Sequence, residues 1–132
     1  MKSYTDIEQS KKLAEILPLE SADMHYSKDF DGSWFVDLAK YTSVKIPKYV
    51  VNVEEHLIPC WSLASLLKQI PYKLRDDDGN LMYLQINKED NGYQLAYMDP
   101  YGDFGNTETD KYEHFVDACY EMIQKLHELN LL

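Results

Sequence analysis

The sequence predicts an α+β fold: a small antiparallel β-meander sheet packed against two or three helices, with a long C-terminal helix. Three observations carry this expectation. Asp78-Gly79 and Asn91-Gly92 separate short runs rich in strand-forming residues, and such dipeptides suit tight turns that need positive φ at their centre. Residues 110–129 repeat apolar side chains at helical spacing. Residues 58–71, IPCWSLASLLKQIP, show the same spacing between two prolines.

The elements follow in order. TDIEQSKKLAEIL at 5–17 reads as a short helix. Thr5 is its expected cap, Glu8 completes the capping-box spacing, and Pro18 stops it. Ile7, Ala14 and Leu17 share one face, with Leu13 and Ile16 beside it. Residues 19–33 are polar and read as irregular, with a turn at Asp31-Gly32. WFVDLA at 34–39 and YVVNV at 49–53 read as strands, the second on its β-branched content and the preceding Pro47. A helix is expected over 60–70, its stripe made of Leu63, Leu66, Leu67 and Ile70 with Trp61 close by.

The meander is YKLR at 72–75, LMYLQIN at 81–87 and YQLAYM at 93–98. Met82, Leu84 and Ile86 take one face, and Leu81, Tyr83 and Gln85 the other. DPYGDFGNTET at 99–109 reads as a loop. The last helix is expected from Asp110 to Leu129, with Phe115, Cys119, Met122, Ile123, Leu126 and Leu129 as its stripe. The helices should cover the meander, joined by one or two earlier strands. The expected core is Trp61, Leu63, Leu66, Leu67, Ile70, Leu84, Ile86, Leu95, Phe115, Cys119, Ile123 and Leu126. Residues 1–132 read as a single domain, since no repeat or linker interrupts them.

Charge narrows the function. The formal net charge is −10, and residues 1–75 balance at ten Lys/Arg against ten Asp/Glu. The excess sits in residues 76–121, where twelve acids face Lys88 and Lys111. Such acidity disfavours direct nucleic-acid binding, which needs positive surface. No apolar run is long enough to span a membrane, and the opening MKSYTDIEQSKK lacks a signal peptide's apolar core. A cytoplasmic location is therefore expected. Asp76, Asp77, Asp78, Asp110, Glu113, Asp117 and Glu121 form a candidate acidic binding patch, beside the simpler reading of solvated turns and a solvated helix face. Tyr83, Tyr93, Tyr97 and Tyr101 form a candidate aromatic surface among eleven tyrosines, read first as packing residues and second as an interface.

No motif carries catalysis. Cys60 and Cys119 read as buried free thiols of a reducing compartment. The histidines lack metal spacing. His114, Asp117 and Glu121 share a helix face that reads first as solvated surface. DDDGN at 76–80 fails as a calcium loop because the closing-glutamate position falls on Gln85. Asp103-Phe104-Gly105 matches a kinase triplet without the rest of that machinery. No cofactor, metal or catalytic residue is expected. An enzyme would have to use His114 with Asp117 and Glu121, or Cys60 with His56.

PLESADMHY at 18–26, IPCWSLASLLKQIP at 58–71 and FVDACYEMIQKLHELNLL at 115–132 resemble a group of small uncharacterised proteins of Bacteroides-type gut bacteria and their prophages and mobile elements. The resemblance covers about a third of the chain and consists of structural pieces. It implies a cytoplasmic phage or mobile-element accessory protein with a binding role, and it carries no site residue across. The expected function is a non-enzymatic protein-interaction module with a protein partner. The alternatives are an acidic DNA mimic that inhibits a nucleic-acid enzyme, a small hydrolase-type enzyme, and a homodimer joined through the sheet.

Overall fold

The first helix, α1 (Ile7–Leu13), is capped by Asp6 rather than Thr5. The Asp6 carboxylate accepts from the Gln9 backbone N–H at 2.8 Å, and the Gln9 side chain accepts from the Asp6 N–H at 3.1 Å. The capping box is thus shifted by one residue. Thr5 is unavailable because its hydroxyl is buried, 2.7 Å from Ser10 Oγ, and accepts from the Trp61 N–H at 3.2 Å.

A computed structural model describes residues 2–102 and 104–132, with 104–106 described by backbone alone. The chain divides into two compact units: residues 4–65, and residues 66–132 with Lys2 and Ser3. Among the described residues, no helix is long and apolar enough to cross a membrane.

Residues 4–65 hold α1 and a three-stranded antiparallel sheet of β1 (Met24–Lys28), β2 (Trp34–Asp37) and β3 (Leu57–Cys60), in the order β2-β1-β3. The earlier strands do not join the meander as expected; they make their own sheet. The central strand, β1, lies in the stretch expected to be irregular. Its apolar residues are few, yet Met24 and Tyr26 share one face with their partners Cys60 and Ile58, and these four form a buried cluster. The expected strand at 49–53 is absent. Val50 instead closes a turn onto the Pro47 carbonyl at 3.0 Å, and Val53–Glu55 is a 3-10 turn. β-branched content favours extension only where a neighbouring strand accepts the ladder.

The expected helix at 60–70 shortens to α2 (Leu63–Gln69), since β3 takes Pro59 and Cys60. Pro59 sits on an edge strand, where its missing N–H is tolerated. Ser62 caps α2 by accepting from the Ser65 N–H at 3.2 Å. Asp23 holds that cap: its carboxylate accepts both the Ser62 hydroxyl and, at 2.9 Å, the Ser62 N–H. Burial alone would raise the Asp23 carboxyl, but the bonds from Ser62 and Ser65 outweigh it and hold it below the usual range. Its stabilisation is therefore present above the ordinary carboxylate range and lost as pH falls through the depressed folded value. The Asp23→Asn variant should melt lower near neutrality and show a flatter acid limb in Tm against pH. Parallel acid limbs for variant and wild type would contradict this assignment.

Residues 66–132 hold β4 (Lys73–Arg75), β5 (Leu81–Glu89), β6 (Gly92–Met98), β7 (Phe104–Glu108) and α3 (Phe115–Glu128). The strands run in sequence order and each pairing is antiparallel. Strand β7 occupies part of the expected 99–109 loop, while Asp103 lies outside the described residues. The α3 helix begins at Phe115 rather than Asp110 because residues 109–112 are laid along β6. Tyr93 and Tyr112 exchange backbone bonds of 2.7 and 2.9 Å, and Thr109 Oγ1 accepts the Leu95 N–H at 3.0 Å. At its far end, Asn130 adopts φ 57°. The bonds from Leu131 N to Leu126 O and from Asn130 N to His127 O then complete a Schellman cap.

The Tyr93 ring lies 5.0 Å from Phe115, so the face of β6 carrying Tyr93, Leu95 and Tyr97 turns toward α3. Across the β5–β6 pairing this face includes Leu84 and Ile86, as the alternation implies. Burial fades along β5 from Met82 through half-buried Leu84 to exposed Ile86. Of the expected core, Trp61, Leu66, Ile70, Leu95, Cys119, Ile123 and Leu126 are buried; Leu63, Leu67, Leu84 and Phe115 are half-buried.

Candidate functional site

The first unit leaves one sheet face uncovered over part of its area. Ser27 pairs with both Phe35 and Leu57, so these three side chains lie in a row across β2, β1 and β3, opposite the Met24–Tyr26 core face. They form the floor of an open groove of about 1030 Å³.

One wall is the β1–β2 turn. The Asp29 N–H donates to Ser33 O at 2.8 Å, the Gly32 N–H donates to Asp29 O at 3.0 Å, and Gly32 takes φ 85°. This turn places Phe30 at its tip, fully exposed. The other wall is residues 44–52, where Pro47 and the turn it starts hold Ile46, Tyr49 and Val51 over the floor. Tyr49 is 84% exposed and Val51 91%. His56 closes one end, where its carbonyl accepts the Lys28 N–H at 3.0 Å.

The second wall includes Lys45 and Lys48, and around the groove Lys28 and Lys45 are matched in number by Asp29 and Glu55. Residues 38–53 contain Lys40, Lys45 and Lys48 and no acid, in a chain of net charge −10. None of these lysines makes an ion pair among the described residues. Lys28 sits over the Trp34 ring at 5.5 Å. The acids lining the groove are locally engaged: Asp29 accepts the Phe30 N–H at 2.8 Å and Glu55 accepts from the Asn52 side chain at 3.3 Å.

The candidate acidic residues are placed differently. Asp76, Asp77 and Asp78 form the β4–β5 turn, where Asp76 accepts the N–H groups of Asp78 (3.0 Å) and Asn80 (2.8 Å). Asp110 and Glu121 come together, the Asp110 N–H reaching the Glu121 carboxylate at 3.3 Å. Glu121 also lies 3.7 Å from Lys125 and, by accepting a hydrogen bond from the Tyr112 hydroxyl, holds that phenol above its ordinary range, with burial adding to the effect. Asp117 pairs with Lys2 at 2.6 Å. Glu113 is exposed. The Tyr93–Tyr112 bridge sets Asp110 and Glu113 near the β5–β6 turn, and the length of β5, about 25 Å, separates that turn from Asp76–Asp78. The seven carboxylates therefore do not form one patch along a single element.

The candidate tyrosines also part company. Tyr97 is buried, with its hydroxyl on the Pro71 carbonyl at 2.6 Å. Tyr93 packs against Phe115 with the two rings tilted by 42°. Tyr83 lies on the opposite sheet face, 5.8 Å from Tyr72, and Tyr101 is exposed. Packing explains the first three.

Neither thiol suits nucleophilic chemistry. Burial pushes Cys119 up to about 12 and also raises Cys60, which sits among Thr5, Ser10 and Tyr26. His56 is exposed on the groove while Cys60 is buried, so the pair shares no open cleft. Both thiols should be silent to Ellman's reagent in the native protein and react fully in denaturant; fast native labelling of either would contradict their burial. Among the described residues no group of three potential ligands could hold a metal ion.

Sequence reasoning missed the groove. Its marks were visible: an acid-free run of three lysines in an acidic chain, and Tyr49 and Val51 within it. The balance of residues 1–75 concealed the run. No protein-family model, curated protein or solved structure matches this chain.

Proposed function

We propose that this protein is a non-enzymatic interaction module that binds a protein partner through the groove of residues 27–57. One observation carries the reading: Phe30, Tyr49 and Val51 are held in water around a concave apolar floor. Burying one such side chain contributes about 1.5–3 kcal/mol, so a complementary surface gains from covering them. Exposed apolar side chains gathered around a concavity mark interaction sites more than lone exposed residues do. The reading agrees with the resemblance of residues 18–26, 58–71 and 115–132, which implies a cytoplasmic accessory protein of a phage or mobile element. An acidic DNA mimic is less supported, since Asp117 and Glu121 already engage Lys2 and Lys125.

The test is crosslinking capture from a bacterial host lysate with wild type and with Phe30→Ser/Val51→Ser. These exposed sites tolerate polar residues, so the fold is kept. A partner lost by the double variant supports the groove. A partner held equally by both, or turnover of a small molecule without a partner, overturns the reading.

A further inference from the structure

We infer that two copies of this protein associate through β2, the free edge of one pairing with the same edge of the other about a two-fold axis. The register of the first sheet fixes what that edge presents. The Lys28 N–H donates to His56 O at 3.0 Å, and the Asp29 N–H donates to Ser33 O at 2.8 Å. Even-numbered residues of β1 therefore bond toward β3, and odd-numbered ones toward Phe35 and Asp37 of β2. Trp34 and Val36 turn their backbone N–H and C=O groups outward, and neither makes another backbone bond among the described residues.

The two edges of this sheet differ. On β3, Pro59 has no N–H to offer, and just beyond the strand Ser62 is bridged by Tyr4. Strand β2 carries no lysine, proline or bulge, the usual guards of a free edge. Phe35 is 48% exposed, and Leu38, next after the strand, is 79% exposed.

The edge also complements itself. In a two-fold antiparallel pair, Trp34 of each copy exchanges both backbone bonds with Val36 of the other. Phe35 then faces Phe35 across the axis at a non-hydrogen-bonded position, where Cα atoms approach to about 4.5 Å and side chains lie closest. On the other face Trp34 meets Val36, an aromatic ring against a β-branched side chain, and both already pack against the Met24–Tyr26 cluster. Asp37 lies opposite Ser33, so no like charges meet. Sliding the pair either way sets Phe35 against Asp37 or Ser33 and loses the aromatic contact. A strand from another protein would have to supply this match, whereas a second copy carries it. The association goes beyond the groove reading and does not depend on it.

The experiment is sedimentation velocity of the full chain over a range of concentrations, with disulfide trapping under oxidised glutathione. The sedimentation coefficient should rise with concentration toward a dimer. Phe35→Lys sets like charges across the axis, and Val36→Pro removes an outward N–H without touching a bond to β1; each should weaken association about tenfold. Phe35→Cys should trap a covalent dimer. Asp37→Cys should not, since the two thiols would lie about 13 Å apart along the strands. Cys60 and Cys119 are buried and do not compete, and their native silence reports that each variant is folded. Phe35→Lys, at a half-exposed site, serves alone if Val36→Pro unfolds.

A protein that stays monomeric at every concentration overturns the inference, even if β2 accepts a strand from another chain. A dimer that the folded variants keep, or that Asp37→Cys traps as well as Phe35→Cys, also overturns it. The groove reading falls separately, when the Phe30→Ser/Val51→Ser variant keeps its captured partner.

Discussion

Replacing Trp61 with alanine should destabilise the protein by about 3–5 kcal/mol, the range for deleting a large buried aromatic side chain. Trp61 is fully buried, and its indole N–H donates to Ser21 Oγ at 2.9 Å. Its backbone also joins Thr5 twice: its carbonyl accepts the Thr5 N–H at 3.0 Å, and its own N–H donates to the Thr5 hydroxyl at 3.2 Å. The alanine variant keeps those backbone bonds and loses the ring. Urea unfolding read by thiol labelling would localise the loss, because Cys60 adjoins Trp61 in the first unit and Cys119 lies in the second. Cys60 should become reactive at lower urea than in wild type. An unchanged Cys60 profile would contradict the role given to Trp61.

Gly92→Ala should cost about 3 kcal/mol through strain and lost backbone hydrogen bonds. Gly92 has φ 132°, and a Cβ there would lie 2.1 Å from the Tyr112 carbonyl oxygen. Backbone must move, and the reciprocal Tyr93–Tyr112 bonds that carry the chain toward α3 are the bonds in the way. Gly79 is the control. It has φ 83°, yet a Cβ there meets nothing within 4 Å, so Gly79→Ala should cost only about 1 kcal/mol for its backbone conformation. Equal urea midpoints for the two variants would show that close approach to Tyr112 does not matter.

The contrast between these glycines shows what the sequence makes legible. Asp78-Gly79 and Asn91-Gly92 announce turns because backbone conformation is a local property, and the meander follows from them. The last helix follows from its stripe. What escapes depends on partners distant in sequence. Thr5 has the chemistry of a cap, but Trp61, far along the chain, claims its hydroxyl. His25 and Ser27 made β1 look polar, although its neighbours on both sides make it the central strand. Tyr49–Val53 had strand propensity and found no strand to pair with. The groove was hidden for the same reason: Phe30 and Val51 are ordinary apolar residues until the fold leaves them uncovered. The candidate acids were legible as a segment, but their grouping depended on which strand ends meet.

Tyr4 and Ser62 pair across an antiparallel bridge. Within residues 4–65 the chain before α1 and the chain after β3 therefore lie side by side, one strand spacing of about 5 Å apart. The start of this unit is held down by a residue near its end, so a chain that would otherwise fray at Tyr4 is pinned by the bridge to Ser62.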